Sequence, residues 1–192
     1  ESIFLLGDDV TFTGSQFAPH SDNGDATGIT IYVKNATVAA RVYAAQTSAY
    51  GYEVKILGDA ADGSDAQEVV KATNNAQLNE AIQAGAKAVV LAEGDYALRF
   101  TNHTSFSLND MTIEGLGNVN LSISSSEAWY GRVQGSNVTF ENIHFTSSVG
   151  ATGKATYNNC TFDDWTICAS SNNEETTFNN CTINGCLNTS TD

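Results

Sequence analysis

Tyr157-Asn158-Asn159-Cys160-Thr161-Phe162 returns 21 residues later as Phe178-Asn179-Asn180-Cys181-Thr182-Ile183. A phrase that recurs at such a short period marks a stacked, solenoidal architecture. Two looser copies precede it, Leu108-Asn109-Asp110-Met111-Thr112-Ile113 and Phe140-Glu141-Asn142-Ile143-His144-Phe145. In each copy two apolar residues that should face one core, such as Tyr157 and Cys160, are three steps apart. A strict strand period of two fails there, so the chain must bend. Asn accepts a left-handed backbone more readily than other side-chain-bearing residues, and its amide can bond a neighbour stacked above it. Asp110, Asn142, Asn159 and Asn180 therefore read as a ladder at a tight corner, spaced by 32, 17 and 21 residues. After each corner a new strand begins, apolar residues inward and Thr or His outward.

Upstream, Asn75-Ala76-Gln77-Leu78-Asn79-Glu80-Ala81-Ile82-Gln83-Ala84-Gly85 reads as a helix. Asn74 or Asn75 serves as N-cap, Leu78, Ala81 and Ile82 form one apolar stripe, and Gly85 is a stop. A strand-like run, Ala88-Val89-Val90-Leu91-Ala92-Glu93-Gly94-Asp95-Tyr96-Ala97-Leu98, follows. With this helix, this run and the four repeated phrases, the chain resembles the pectin-lyase-like right-handed parallel β-helix superfamily over residues 73–192. The resemblance implies an all-β fold, a short right-handed parallel β-helix of about four to five coils whose open end is capped by the helix. Fold-level likeness of this kind does not specify an activity.

Residues 1–58 read as a small β-rich N-terminal module for attachment or assembly. Its short strand-like runs are Ser2 to Leu6, Val10 to Thr13, Ile29 to Lys34, Thr37 to Ala44 and Tyr52 to Leu57. Residues 59–72 read as a polar linker, and 73–192 as the capping helix with its β-helix. The same N-terminal runs also fit atypical first coils packed against the solenoid.

The 22 acidic residues against 8 basic ones give a net charge of −14, which disfavours nucleic acid and anionic membranes because phosphate contacts need Lys and Arg. No apolar run approaches the ~20 residues of a membrane span. No signal-peptide pattern is present, and Glu1 fits either a processed product or a chain that starts within a longer one. Clustered acids make calcium a candidate at Asp59, Asp62 and Asp65, or at Asp22 and Asp25, although neither loop has the EF-hand spacing. Otherwise no cofactor is implied.

All four cysteines, Cys160, Cys168, Cys181 and Cys186, lie in the last 33 residues. Cys160 and Cys181 share a repeat position and would stack about 4.8 Å apart at the backbone, within reach of a disulfide. Cys168 and Cys186 form a second candidate pair. Bridges would staple a terminal coil that has one neighbour and imply an oxidising compartment; an internal stack of reduced cysteines is the alternative. Among seven Asn-x-Ser/Thr sequons, Asn35 and Asn102 are the candidate glycan acceptors.

The resemblance also raises polysaccharide cleavage, since related lyases and hydrolases combine Asp clusters, sometimes with calcium, with a Lys, Arg or His. Beyond residue 100 the cations are Arg132 and Lys154, with His103 and His144. His144, near Thr161, Asp163 and Asp164, is the one conceivable catalytic grouping, and the basic side of the constellation is nearly missing. The expectation is a non-catalytic structural subunit of an extracellular, cell-surface or particle-surface assembly, such as a filament, surface layer or fibre, that associates with itself. Carbohydrate is the expected alternative partner, with Trp129 and Tyr130 as the stacking pair and Trp165 as a weaker one.

Overall fold

The structure is a computed structural model that describes residues 2–13, 29–45, 52–100, 107–126, 131–151, 153–167 and 175–188. Its described residues are mostly strand, arranged in parallel sheets, with two short helices.

The chain begins with β1 (Ser2–Leu5), β2 (Thr30–Val33), α1 (Ala36–Ala45), β3 (Glu53–Ile56) and β4 (Gln67–Ala72). Next come α2 (Asn75–Gln83), β5 (Ala88–Leu91), β6 (Gly94–Phe100), β7 (Thr112–Gly115), β8 (Val119–Ser125) and β9 (Gly131–Val133). Three more rounds follow: β10 (Val138–Glu141), β11 (His144–Phe145) and β12 (Val149–Ala151); β13 (Ala155–Asn158), β14 (Thr161–Phe162) and β15 (Thr166–Ile167); β16 (Thr176–Asn179), β17 (Thr182–Ile183) and β18 (Leu187–Asn188).

From β7 onward each round deposits one strand in each of three sheets. The first sheet has nine strands in the order β1-β2-β3-β4-β5-β7-β10-β13-β16, the second runs β17-β14-β11-β8-β6, and the third β18-β15-β12-β9. Registers are parallel, for example Phe140 beside Tyr157 and Tyr157 beside Phe178; among the described residues the one antiparallel pairing is β3 with β4. Strands such as β10 and β13 alternate buried and half-buried residues, because one face meets the interior.

Like residues therefore stack on like. Phe140, Tyr157 and Phe178 form one column with ring centroids 5.5 and 5.3 Å apart, and Phe145 stacks on Phe162 at 5.0 Å in a second. The columns meet edge to face at 5.1 to 5.6 Å, the geometry that the ring quadrupole favours. α2 closes the interior at the first round, burying Leu78, Ala81 and Ile82 in the same cluster as Val89, Leu91 and Leu98. Asn74 Oδ1 accepts from Gln77 N at 3.0 Å as N-cap, and Gly85 leaves the helix at φ 74°.

The N-terminal region departs from expectation in two elements: Val10 to Thr13, read as a strand, forms none, and Thr37 to Ala44, also read as a strand, lies in helix α1. Asn35 Oδ1 accepts from Val38 N at 2.9 Å, an N-cap signal that outweighs the β-branched Thr37, Val38 and Val42 in an otherwise Ala-rich run. α1 lies on the outer face of the nine-stranded sheet and forms a second core with Ile31, Val33, Val54, Val69, Ala88 and Val90. The second half of the stretch read as polar linker is strand β4, so the sheet runs unbroken from β1 to β16.

Candidate functional site

The repeated Asn positions hold the corners through their backbones. Asn142, Asn159 and Asn180 have φ of 54, 52 and 53°, in the left-handed region, with exposed side chains. Asn142 donates from Nδ2 to Glu114 Oε1 of the preceding round (3.3 Å), but at the next two corners the amide bonds between rounds come from the preceding residues: Asn179 Nδ2 donates to Asn158 Oδ1 (2.8 Å), and Asn158 Nδ2 to Glu141 Oε1 (3.3 Å). At those two corners the ladder is thus displaced by one residue from its expected place. Asp110 (φ 53°) belongs to another corner altogether, because Thr112 pairs with Thr139, which aligns Asp110 with Asn137 (φ 58°). Asn137 Nδ2 donates to Asp110 Oδ1 at 2.9 Å. The corner of that round corresponding to Asn142 is instead the longer Gly115-Leu116-Gly117-Asn118, where Gly117 takes φ 82°. At Gly115 a Cβ would collide with the carbonyl oxygen of Asn142, so the next round can cross there only over a glycine.

On the outer face of the second sheet the expected His144 grouping becomes a longer polar row. Asn120 Nδ2 donates to Asp95 Oδ1 (2.7 Å), leaving Asn120 Oδ1 to face His144 Nδ1 (2.7 Å). His144 Nε2 faces Asp163 Oδ2 (2.7 Å), and Asn184 Nδ2 donates to Asp163 Oδ1 (3.4 Å). Both ring nitrogens therefore face protein oxygens, and the tautomer decides which of them donates. Asp164 turns away, its Oδ1 accepting from Trp165 N at 2.8 Å. Beside the row lies an open hollow of about 290 Å³ lined by Asn118, Asn120, Asn142, His144, Asn159 and Thr161, among others.

Along β16 to β18 the described interior is less fully covered. Phe140 and Tyr157 are 0% and 1% exposed, whereas Phe178, Cys181 and Ile183 are only partly buried and Leu187 is 47% exposed. β16, β17 and β18 are the edge strands of their three sheets.

Cys160, Cys181 and Cys186 are free thiols, so the Cys160–Cys181 bridge is not formed. Cys160 instead lies buried with Sγ 3.2 Å from Asn158 O, and burial pushes its thiol up to about 12. Cys181 Sγ contacts Tyr157 O at 3.3 Å. Both behave as small core residues of the stack. Cys168 lies outside the described residues, as do Trp129, Tyr130, Asn102, Asp22, Asp25 and His103.

The acidic loop uses carboxylates on its own backbone. Asp65 Oδ2 accepts from Asp59 N (2.8 Å) and Ala60 N (3.1 Å), and Asp62 Oδ1 from Ser64 N (3.0 Å). The bonds from Ser64 hold the Asp62 carboxyl below its ordinary value. Among the described residues no three acidic, His or Cys side chains gather as a metal site. Asn35, the expected glycan acceptor, caps α1 with Oδ1 and donates from Nδ2 to Asp8 O at 3.2 Å, so its amide is committed at both ends. Lys154 reaches Glu175 across 3.9 Å on the surface, and Trp165 is 45% exposed.

One group went unnoticed in the sequence. Glu114 on β7 is 2% exposed, with Oε1 accepting from Asn142 Nδ2 at 3.3 Å and Oε2 buried without a hydrogen-bond partner. Burial first, and the neighbouring Glu141 second, push its carboxyl up to about 8. An isolated Glu between Ile113 and Gly115 gives no sequence signal of this burial, because its cover comes from α1.

By fold and surface, this is a mostly β protein of stacked parallel sheets. No family model, curated protein or solved structure matches the chain. Among its described residues no helix is long and apolar enough to cross a membrane.

Proposed function

We propose that the three sheets are the faces of a short parallel β-helix of the pectin-lyase-like kind. The protein is then a non-catalytic structural subunit of an extracellular or particle-surface assembly, a filament, surface layer or fibre, in which copies join end to end. One observation carries this reading: among the described residues the three edge strands β16, β17 and β18 coincide with the half-covered end of the internal columns at Phe178, Cys181 and Ile183 and with exposed Leu187. Unpaired edges with apolar cross-sections recruit another chain unless something covers them. The engaged state of both His144 nitrogens supports the non-catalytic part, and the charge of −14 keeps such a surface soluble and away from nucleic acid.

Light scattering and negative-stain microscopy of the full chain, with and without reductant, test the assembly. Particles heavier than a monomer, lost in Phe178→Asp, support it; a monomer at every concentration refutes it.

A second reading is carbohydrate binding in the Asn-lined hollow beside His144, whose amides and hydroxyl suit sugar hydroxyls. It predicts retention on an acidic-polysaccharide column that Asn118→Ala abolishes. Retention unaffected by that change argues against the hollow.

A further inference from the structure

Glu114 lies on the α1 side of the nine-stranded sheet, since its register partner Val90 belongs to the core that α1 covers. Its other register partner, Glu141, places a second carboxylate on the adjacent strand. Thr37, in the first turn of α1, donates from Oγ1 to Glu141 Oε2 at 3.3 Å, so the helix start closes over the pair. Among the described residues the one cation exerting a pull on Glu114 is Arg41 of α1, and its Nη1 is engaged with Val10 O at 2.9 Å. Two polar neighbours remain, the Thr37 hydroxyl, which favours the charged form but is bonded to Glu141, and Asn142, which donates to Oε1 alone. An ionised Glu114 would thus carry a charge with one buried oxygen unpartnered, next to a second carboxylate and beneath a packed helix. Such an arrangement is tolerable only for the neutral acid.

We propose that Glu114 is a pH-operated latch for α1: the protonated carboxyl lets the helix lie on the sheet, and loss of that proton to solvent drives the helix off. Undocking bares Ile31, Val33, Val54, Val69, Ala88 and Val90. The direction follows from linkage. With α1 docked the group titrates at about 8, and with α1 lifted near its ordinary 4.5. Docking is therefore strongest below about pH 4.5, weakens as pH rises, and reaches its floor above about pH 8.

Amide hydrogen exchange of the intact protein, corrected for the intrinsic pH dependence of exchange, reads the latch directly. Between pH 5 and 8 the protection of Val38–Ala45 should fall by up to about tenfold per pH unit, while β10 and β13 stay protected. In Glu114→Gln, which keeps the shape without the charge, α1 protection should not vary with pH. If that variant does not fold, Glu141→Gln supplies the test: removing the like charge brings the floor to a lower pH. Equal pH dependence in wild type and Glu114→Gln, an unmoved floor in Glu141→Gln, or loss of protection in α1 and the sheet together would each overturn the latch.

Discussion

Asn158 and Asn159 are adjacent, identical in type and both polar, yet they do different work, which mutation can separate. Asn159 is exposed with φ 52°, and its bond to the neighbouring round is the backbone one from its N–H to Asn179 O at 2.8 Å. Asn158 is half-buried in an extended strand, and its side chain links Glu141 on one side to Asn179 on the other. Replacing Asn159 by Ala keeps the backbone bond but forces an ordinary residue into the left-handed region, at a cost of about 1 kcal/mol. Asn159→Val should cost about 2 kcal/mol, since a branched side chain tolerates that region least. Glycine adopts the conformation freely and loses only its extra unfolded-state entropy, so Asn159→Gly should stay within about 0.5 kcal/mol of wild type.

At Asn158 the order reverses. Ala removes two partly exposed hydrogen bonds at about 1 kcal/mol together, and Gly adds roughly another 1 kcal/mol by weakening the strand. Urea unfolding at constant slope measures all five variants. The reasoning fails if Asn159→Gly is as damaging as Asn159→Ala, or if Gly is better tolerated than Ala at Asn158.

The core columns give a graded series: Phe145→Ala, at a fully buried ring, should cost about 3–5 kcal/mol in denaturant unfolding. Phe178→Ala should cost clearly less in dilute monomer because that ring is half-covered, and equal costs would contradict the open end. Asn35→Ala removes the cap of α1 and should lower stability by about 1 kcal/mol, read from the thermal midpoint. Under native conditions a thiol reagent should modify exposed Cys186 rapidly and Cys160 only on unfolding, checked by mass spectrometry of the labelled peptides.

What the sequence reveals about this fold follows from where each contact is encoded. The corners at Asn142, Asn159 and Asn180 were legible because a left-handed position restricts residue choice locally, and the aromatic columns because stacked rounds repeat the same residue classes. The misplacement of Asp110 has the same origin. Its corner also favours an Asx residue, so Asn137 and Asp110 look like members of the other series, and only strand register tells the two corners apart. At Asn159 and Asn180 the ladder fell one residue off because the preceding strand residues, Asn158 and Asn179, are paired in register and bond each other's side chains. Helix α1 was hidden by its β-branched residues, although Asn35 ahead of an Ala-rich run was a usable signal. Glu114 had none, since burial there depends on a helix more than 60 residues earlier in the chain.

The segment that binds the two halves together carries its own mark in the pattern of hydrophobicity. Most strands of the repeat alternate, whereas β5 is Ala88-Val89-Val90-Leu91, buried at all four positions. A strand apolar without alternation must have both faces covered. Val89 and Leu91 face the interior that α2 closes, while Ala88 and Val90 face α1. Strand β4 repeats the division, with Ala72 in the interior and Val69 under α1, and Tyr43 Oη donates to Val69 O at 2.8 Å to fasten the helix to that wall. Two cores thus share one wall of two strands. A charge placed at Val90 would fall on the α1 side next to Glu114, one at Val89 in the interior beneath α2. The first should release α1 while leaving the columns at Phe140 and Tyr157 intact, and the second should disturb the first round that all later rounds stack upon.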